Sequence, residues 1–221
     1  MSIATDSDLQ IQAAVQAELE WTPDVDAAGI GVAVEDGAVT LTGEVDNYAE
    51  RLAAKHAALR LRGVRAVVDA MSVHPRSAAI ATETDIAKEV ERALRTAVNV
   101  PATVQATLDG HHVTLTGEVQ WDFQRVAAKR AVQYLRGVYS VNNMITLTAR
   151  PSAEDAEERI KKAITRNAQL DATSIEVSAK GNTVTLTGSV ASWAERRQAE
   201  RAAWASPHVT DVVNRIQVRP F

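Results

Sequence analysis

Val39-Thr-Leu-Thr-Gly-Glu-Val45 recurs as Val113-Thr-Leu-Thr-Gly-Glu-Val119 and, with one change, as Val184-Thr-Leu-Thr-Gly-Ser-Val190. The copies begin 74 and then 71 residues apart. This spacing exceeds the roughly 20 to 50 residues of solenoid repeats and is long enough for each copy to close a core of its own. The chain therefore reads as three small domains in tandem, over residues 1–75, 82–149 and 152–221.

Upstream of each motif lies an alternating run, Ile30, Val32, Val34, then Val104, Ala106, Leu108, then Ile175, Val177, Ala179, each the pattern of a strand with one buried face. Asp36-Gly37, Asp109-Gly110 and Lys180-Gly181-Asn182 separate these runs from the motifs, so each pair reads as an antiparallel hairpin. Eleven residues past the motif glycines Gly43, Gly117 and Gly188 an alanine-rich stripe begins, with Ala54, Ala57, Ala58 and its counterparts from Ala128 and Ala199. Alanine at helical spacing predicts a second helix lying close on a sheet. Gly63 and Gly137 end that helix as C′ residues, where the third copy has Pro207-His208 instead. A closing alternation follows: Val67, Asp69, Met71, Val73; Val141, Asn143, Ile145, Leu147; Val212, Asn214, Ile216, Val218. The strand, helix, strand order implies a right-handed crossover between parallel strands. A first helix precedes each hairpin, over Asp8 to Leu19, Asp85 to Val98 and about Ala153 to Ala168, with Thr82 or Thr84 capping the second. The fold class is α+β: three tandem αββαβ units, each a three-stranded mixed sheet with two helices on one face.

Hydrophobic residues make up 46% of the 221 and aromatics only 4%, so each core is thin and neighbouring copies are expected to lean on one another. The lack of cysteine excludes disulfides, thiolate metal sites and cysteine nucleophiles. A net charge of −4 argues against nucleic-acid binding. Met1 to Asp8 carry no basic start or apolar run, which predicts a cytoplasmic protein; removal of a leader would make it periplasmic.

The pattern of Gly43, Arg51, Gly63, Val64, Val67 and Asp69 returns as Gly117, Arg125, Gly137, Val138, Val141 and Asn143, and as Gly188, Arg196, Val209, Val212 and Asn214. It resembles the BON (bacterial OsmY and nodulation) domain family over nearly the whole chain. The resemblance implies the αββαβ fold, no catalytic activity, no cofactor, and association with phospholipid membranes or envelope and stress proteins, often under osmotic shock. Family members are mostly exported.

No residue constellation points to catalysis or a metal. His111-His112 sits at a hairpin turn where neighbouring side chains diverge, and Glu154, Asp155, Glu157 and Glu158 open a helix whose dipole they complement. The candidate binding face is the start of each second helix, where aromatic and basic residues cluster: Tyr48, Arg51, Lys55; Trp121, Phe123, Arg125, Lys129, Arg130; Trp193, Arg196, Arg197, Arg201. Aromatics favour a lipid headgroup layer, and Lys or Arg adds about 1 kcal/mol each near an anionic surface. The competing reading makes the aromatics staples of the helix start and the basic residues an ordinary wet face, since Glu50, Asp122, Glu195 and Glu200 interleave. The functional expectation is a non-enzymatic binding protein that contacts anionic membrane surfaces or partner proteins through these faces. The alternatives are a sensor of a small ligand or potassium ion, and a scaffold that self-associates through Trp204 and its strand edges.

Overall fold

The computed structural model describes residues 6–76, 82–149, 156–166 and 174–219. The first copy runs α1 (Asp6–Trp21), β1 (Ile30–Glu35), β2 (Ala38–Val45), α2 (Tyr48–Ala58) and β3 (Ala66–Val73). The second runs α3 (Glu83–Thr96), β4 (Gln105–Asp109), β5 (His112–Thr116), β6 (Glu118–Val119), α4 (Asp122–Val132), β7 (Ser140–Asn143) and β8 (Thr146–Leu147). The third runs α5 (Ala156–Thr165), β9 (Ile175–Lys180), β10 (Thr183–Val190), α6 (Trp193–Trp204), β11 (Asp211–Asn214) and β12 (Gln217–Val218). The expected ends of the third copy's first helix, at Ala153 and Ala168, lie outside the described residues.

In every copy the repeated motif is the central strand. β2 pairs antiparallel with β1 and parallel with β3; β5 and β10 do the same with their neighbours. The alternation Val-Thr-Leu-Thr assigns the faces. Val39 and Leu41 are buried against the helices, as are Val113 and Leu115, and Val184 and Leu186, while the threonines between them lie on the open face. The alanines allow the second helix close: Ala54, Ala57 and Ala58 are fully buried in the first core, Ala128 in the second, Ala199 and Ala203 in the third.

The closing strand departs from the simple alternation. β3 is continuous, but the second and third copies split theirs into β7 and β8, and β11 and β12. A polar residue inside the series bonds locally in all three copies. Asn143 Oδ1 accepts the N–H of Ile145 at 3.3 Å, Asn214 Oδ1 that of Ile216 at 3.2 Å, and Asp69 Oδ1 that of Met71 at 3.4 Å although β3 stays whole, so this bond alone does not break the strand.

By contacts the chain forms two compact units, Met1–Thr146 and Leu147–Phe221. Within the first unit two copies share packing: Tyr139 of the second lies against the buried cluster of the first.

Candidate functional site

The second-helix starts are built by short-range hydrogen bonds. Asn47 Oδ1 accepts from Glu50 N at 2.9 Å, while the buried Glu50 carboxylate accepts from Asp46 N and Asp26 N, both at 2.7 Å. Ser192 Oγ accepts from Glu195 N at 3.2 Å, and Glu195 accepts from Ala191 N at 3.2 Å. Gln124 Oε1 takes the N–H groups of Gln120 and Trp121 at 3.0 and 3.1 Å. Such reciprocal bonds satisfy donors that a helix start otherwise leaves open. The spacing Asn47-x-x-Glu50 and Ser192-x-x-Glu195 carries this signal in sequence, beside the simpler reading of these acids as charges interleaved with the basic residues.

In the first and third copies the arginine eight residues past the motif glycine turns toward the closing strand. Arg51 Nε donates to both oxygens of Asp69 at 3.0 and 3.1 Å, with 25% and 15% of the two side chains exposed. Arg196 donates to the carbonyls of Ile216 and Asn214 at 3.0 and 2.8 Å, and its guanidinium lies 5.2 Å from the Trp193 ring centroid. Arg125 bonds Asp122 one turn back, while Asn143 Nδ2 donates to the Arg125 carbonyl at 2.9 Å. Arg51 and Arg196 thus tie the second helix to the last strand of their own copy, whereas in the second copy the Asn143 side chain makes that link to the Arg125 backbone.

The aromatic residues fare differently from copy to copy. Tyr48 is half-buried against the backbone of Val141 in the second copy; burial, the larger influence, raises its phenol above the ordinary value, and the Val141 backbone bond opposes this. Trp121 is half-buried with its ring 6.4 Å from that of Phe123, and Phe123 is 52% exposed. One turn on, Val126 is also exposed, and Arg130 follows on the same stripe with Lys129 half-buried beside it. At the positions of Phe123, Val126 and Arg130 the first copy has Ala49, Leu52 and His56, and the third has Ala194, Arg197 and Arg201. Lys55 and Arg197 are half-buried; burial and then the neighbouring Arg201 lower the Arg197 guanidinium's value, though it stays cationic. Trp204 packs on the third core. The residues of the candidate set that come together on one exposed face are thus those of α4.

The two histidines of the second hairpin turn are held in place by hydrogen bonds. His111 Nδ1 lies 2.8 Å from the Gly137 carbonyl, which can only accept, so this nitrogen carries the proton; the ring stacks on Tyr139 at 4.1 Å. In the third copy Asn182 Nδ2 donates to the His208 carbonyl at 2.6 Å from the equivalent position. That bond holds the turn after α6 where Pro207-His208 replaces glycine. α2 ends at Ala58 and α4 at Val132, so Gly63 and Gly137, at φ of 93° and 85°, serve the turn that follows and are not the C′ residues expected. His112 Nδ1 instead meets Ser140 Oγ at 2.7 Å.

The family model described as "BON domain" matches residues 7–75, 82–149 and 152–220. A search of curated proteins returns no match. Among solved structures, the C-terminal domain of CdsD, described as the structural protein of the type III secretion system of Chlamydia trachomatis, aligns at 14% identity over 99% of this chain and 100% of its own, with a TM-score of 0.25. The PrgH periplasmic domain aligns at 13% identity over 86% of this chain and 95% of its own, with a TM-score of 0.21. Likeness at that level says nothing of what this chain binds.

Proposed function

The chain belongs to the BON domain family, in three tandem copies, and from that premise we propose that it is a non-enzymatic binding protein whose contact with anionic phospholipid surfaces is made by the outward face of α4. The observation that carries this reading is the exposed stripe Phe123, Val126 and Arg130, which the equivalent positions of the other copies do not reproduce. Burying one Phe and one Val in the headgroup layer contributes about 1.5 to 3 kcal/mol each at most. Lys129 and Arg130 add about 1 kcal/mol each against an anionic leaflet. The sum describes reversible, salt-sensitive attachment. No helix among the described residues is long and apolar enough to cross a membrane, so the contact proposed is peripheral. The osmotic-stress setting implied by the family resemblance belongs to the same proposal, as does the use of this face for a partner protein.

Flotation of the purified chain with neutral and with anionic vesicles, at low and physiological salt, tests it. The expected result is binding to anionic vesicles alone, weakened by salt and reduced at least fivefold in a Phe123→Ser, Arg130→Glu variant that retains its melting temperature. Flotation with neither vesicle, or equal flotation of the variant, would remove the membrane reading.

A further inference from the structure

In two of the three copies a side chain of the first helix closes the outer edge of the hairpin. Gln12 Nε2 donates to the Val32 carbonyl at 2.9 Å, and Glu157 Oε2 accepts the N–H of Ala179 at 3.2 Å. Gln12 and Glu157 hold the same position, three residues before the buried Val15 and Ile160. In the second copy that position, three before the buried Val90, is Ala87, which has nothing to offer the strand.

The backbone groups left over can be identified from the register. Val32 lies opposite Leu41 as Ala106 lies opposite Leu115, and Ala179 lies opposite Val184 as Leu108 lies opposite Val113. β4 is the edge of its sheet, and in an antiparallel hairpin alternate residues turn both N–H and C=O away from the partner strand. Ala106 C=O and Leu108 N–H are therefore the counterparts of the two groups that Gln12 and Glu157 bond. Among the described residues no side chain bonds to either of them. Where the missing side chain would lie, a groove of about 630 Å³ opens between α3 and β4, with Ala87, Val90, Leu94, Val104, Ala106 and Leu108 in its lining.

We propose that this groove is a peptide-docking site, in which an extended segment of a partner protein adds as a strand to β4. Main-chain pairing to Ala106 and Leu108 supplies the bonds that the sister copies obtain from their own helices, and alternate apolar side chains fill the space beside Val90 and Leu94. Charge sets the peptide's end. Arg95, in the last turn of α3, lines the groove without an ion pair among the described residues, while Glu91 lines it one turn earlier. A carboxylate on the peptide is favoured at the Arg95 end and disfavoured midway. β4 is five residues long, about 17 Å, so five to seven residues of peptide match it. The site lies on α3 and β4 and stands independently of the α4 face.

The probe is a fluorescein-labelled heptapeptide alternating valine and threonine with glutamate at one end, made in both polarities and titrated against the full chain by anisotropy. Saturable binding of one polarity is expected, weakened at least tenfold by Ala87→Gln, which places the first copy's side chain in the groove, and weakened by Arg95→Glu. Ala87→Gln is a helix-compatible surface change, so an unshifted melting temperature shows the fold is kept. Absence of binding up to millimolar protein, or equal binding by Ala87→Gln, would overturn the proposal. So would equal binding of the peptide with alternate nitrogens methylated, because only strand pairing needs those N–H groups.

Discussion

Each motif glycine is required by the backbone opposite it. Gly43, Gly117 and Gly188 sit at φ of 111°, 120° and 116°, and a Cβ there would strike the carbonyl oxygens of Gly29, Thr103 and Ser174. Gly117→Ala combines left-handed strain of about 1 to 3 kcal/mol with that collision, so urea denaturation is expected to show the second copy losing at least about 3 kcal/mol. Gly110, at φ 57° with no atom within 4 Å of a Cβ, is the control: Gly110→Asn is expected to cost only a few tenths of a kcal/mol. The Arg51–Asp69 pair makes a second residue-scale prediction. Its partly buried, two-bond geometry gives a coupling of about 1 to 2 kcal/mol in a double-mutant cycle of Arg51→Met with Asp69→Asn. The sequence placed both residues in one motif, but a basic residue near a helix start reads equally as a headgroup contact. Only their meeting across eighteen residues separates the two roles.

At the scale of elements, the caps decide where the second helices begin. Glu50 is buried and accepts two backbone N–H bonds, one from the loop before β1 and one from the residue before its own cap. Glu50→Ala strands both donors and is expected to lower unfolding free energy by about 2 to 3 kcal/mol. Glu50→Gln, the residue type found at the second copy's equivalent position, is expected to recover part of that loss in the same urea titration. Helix and strand existence was legible here because periods of 3.6 and 2 report burial directly. The breaks in the closing strands of the second and third copies were not. A polar residue inside the alternating run bonds the N–H two residues on in every copy, yet Asp69 leaves β3 whole, so the residue type at that position does not announce the break.

For the first compact unit, stability is shared between two copies. Tyr48 lies at their contact with its phenol's pKa raised chiefly by burial. A raised folded value means the protonated phenol is favoured in the native state, so its contribution is full below the unfolded tyrosine value near pH 10 and is lost as pH rises through the folded value. Urea unfolding between pH 9 and 11 is expected to show an extra alkaline loss in the wild type that Tyr48→Phe abolishes. The thin aromatic-poor cores made such leaning of copies foreseeable, but the particular residue was not. Tyr48 had the same local setting, at the start of a basic second helix, as residues that the fold leaves exposed.

Sequence by itself determined the number of copies, the αββαβ order, the hairpin and crossover senses and the inward-facing residues. All of these follow from local periodicity, turn chemistry and repetition. Only the tertiary structure decided which members of one aromatic and basic pattern face outward. Arg51 and Arg196 are held by the closing strand, Arg125 by Asp122 of its own helix, Tyr48 by the neighbouring copy, and Phe123 and Val126 by none of these. It also decided that Ala87 leaves a strand edge open where Gln12 and Glu157 close theirs. The physical reason is the same in both cases: a side chain's role depends on which distant backbone or side-chain group comes within about 3 Å of it, and spacing along the chain does not encode that distance.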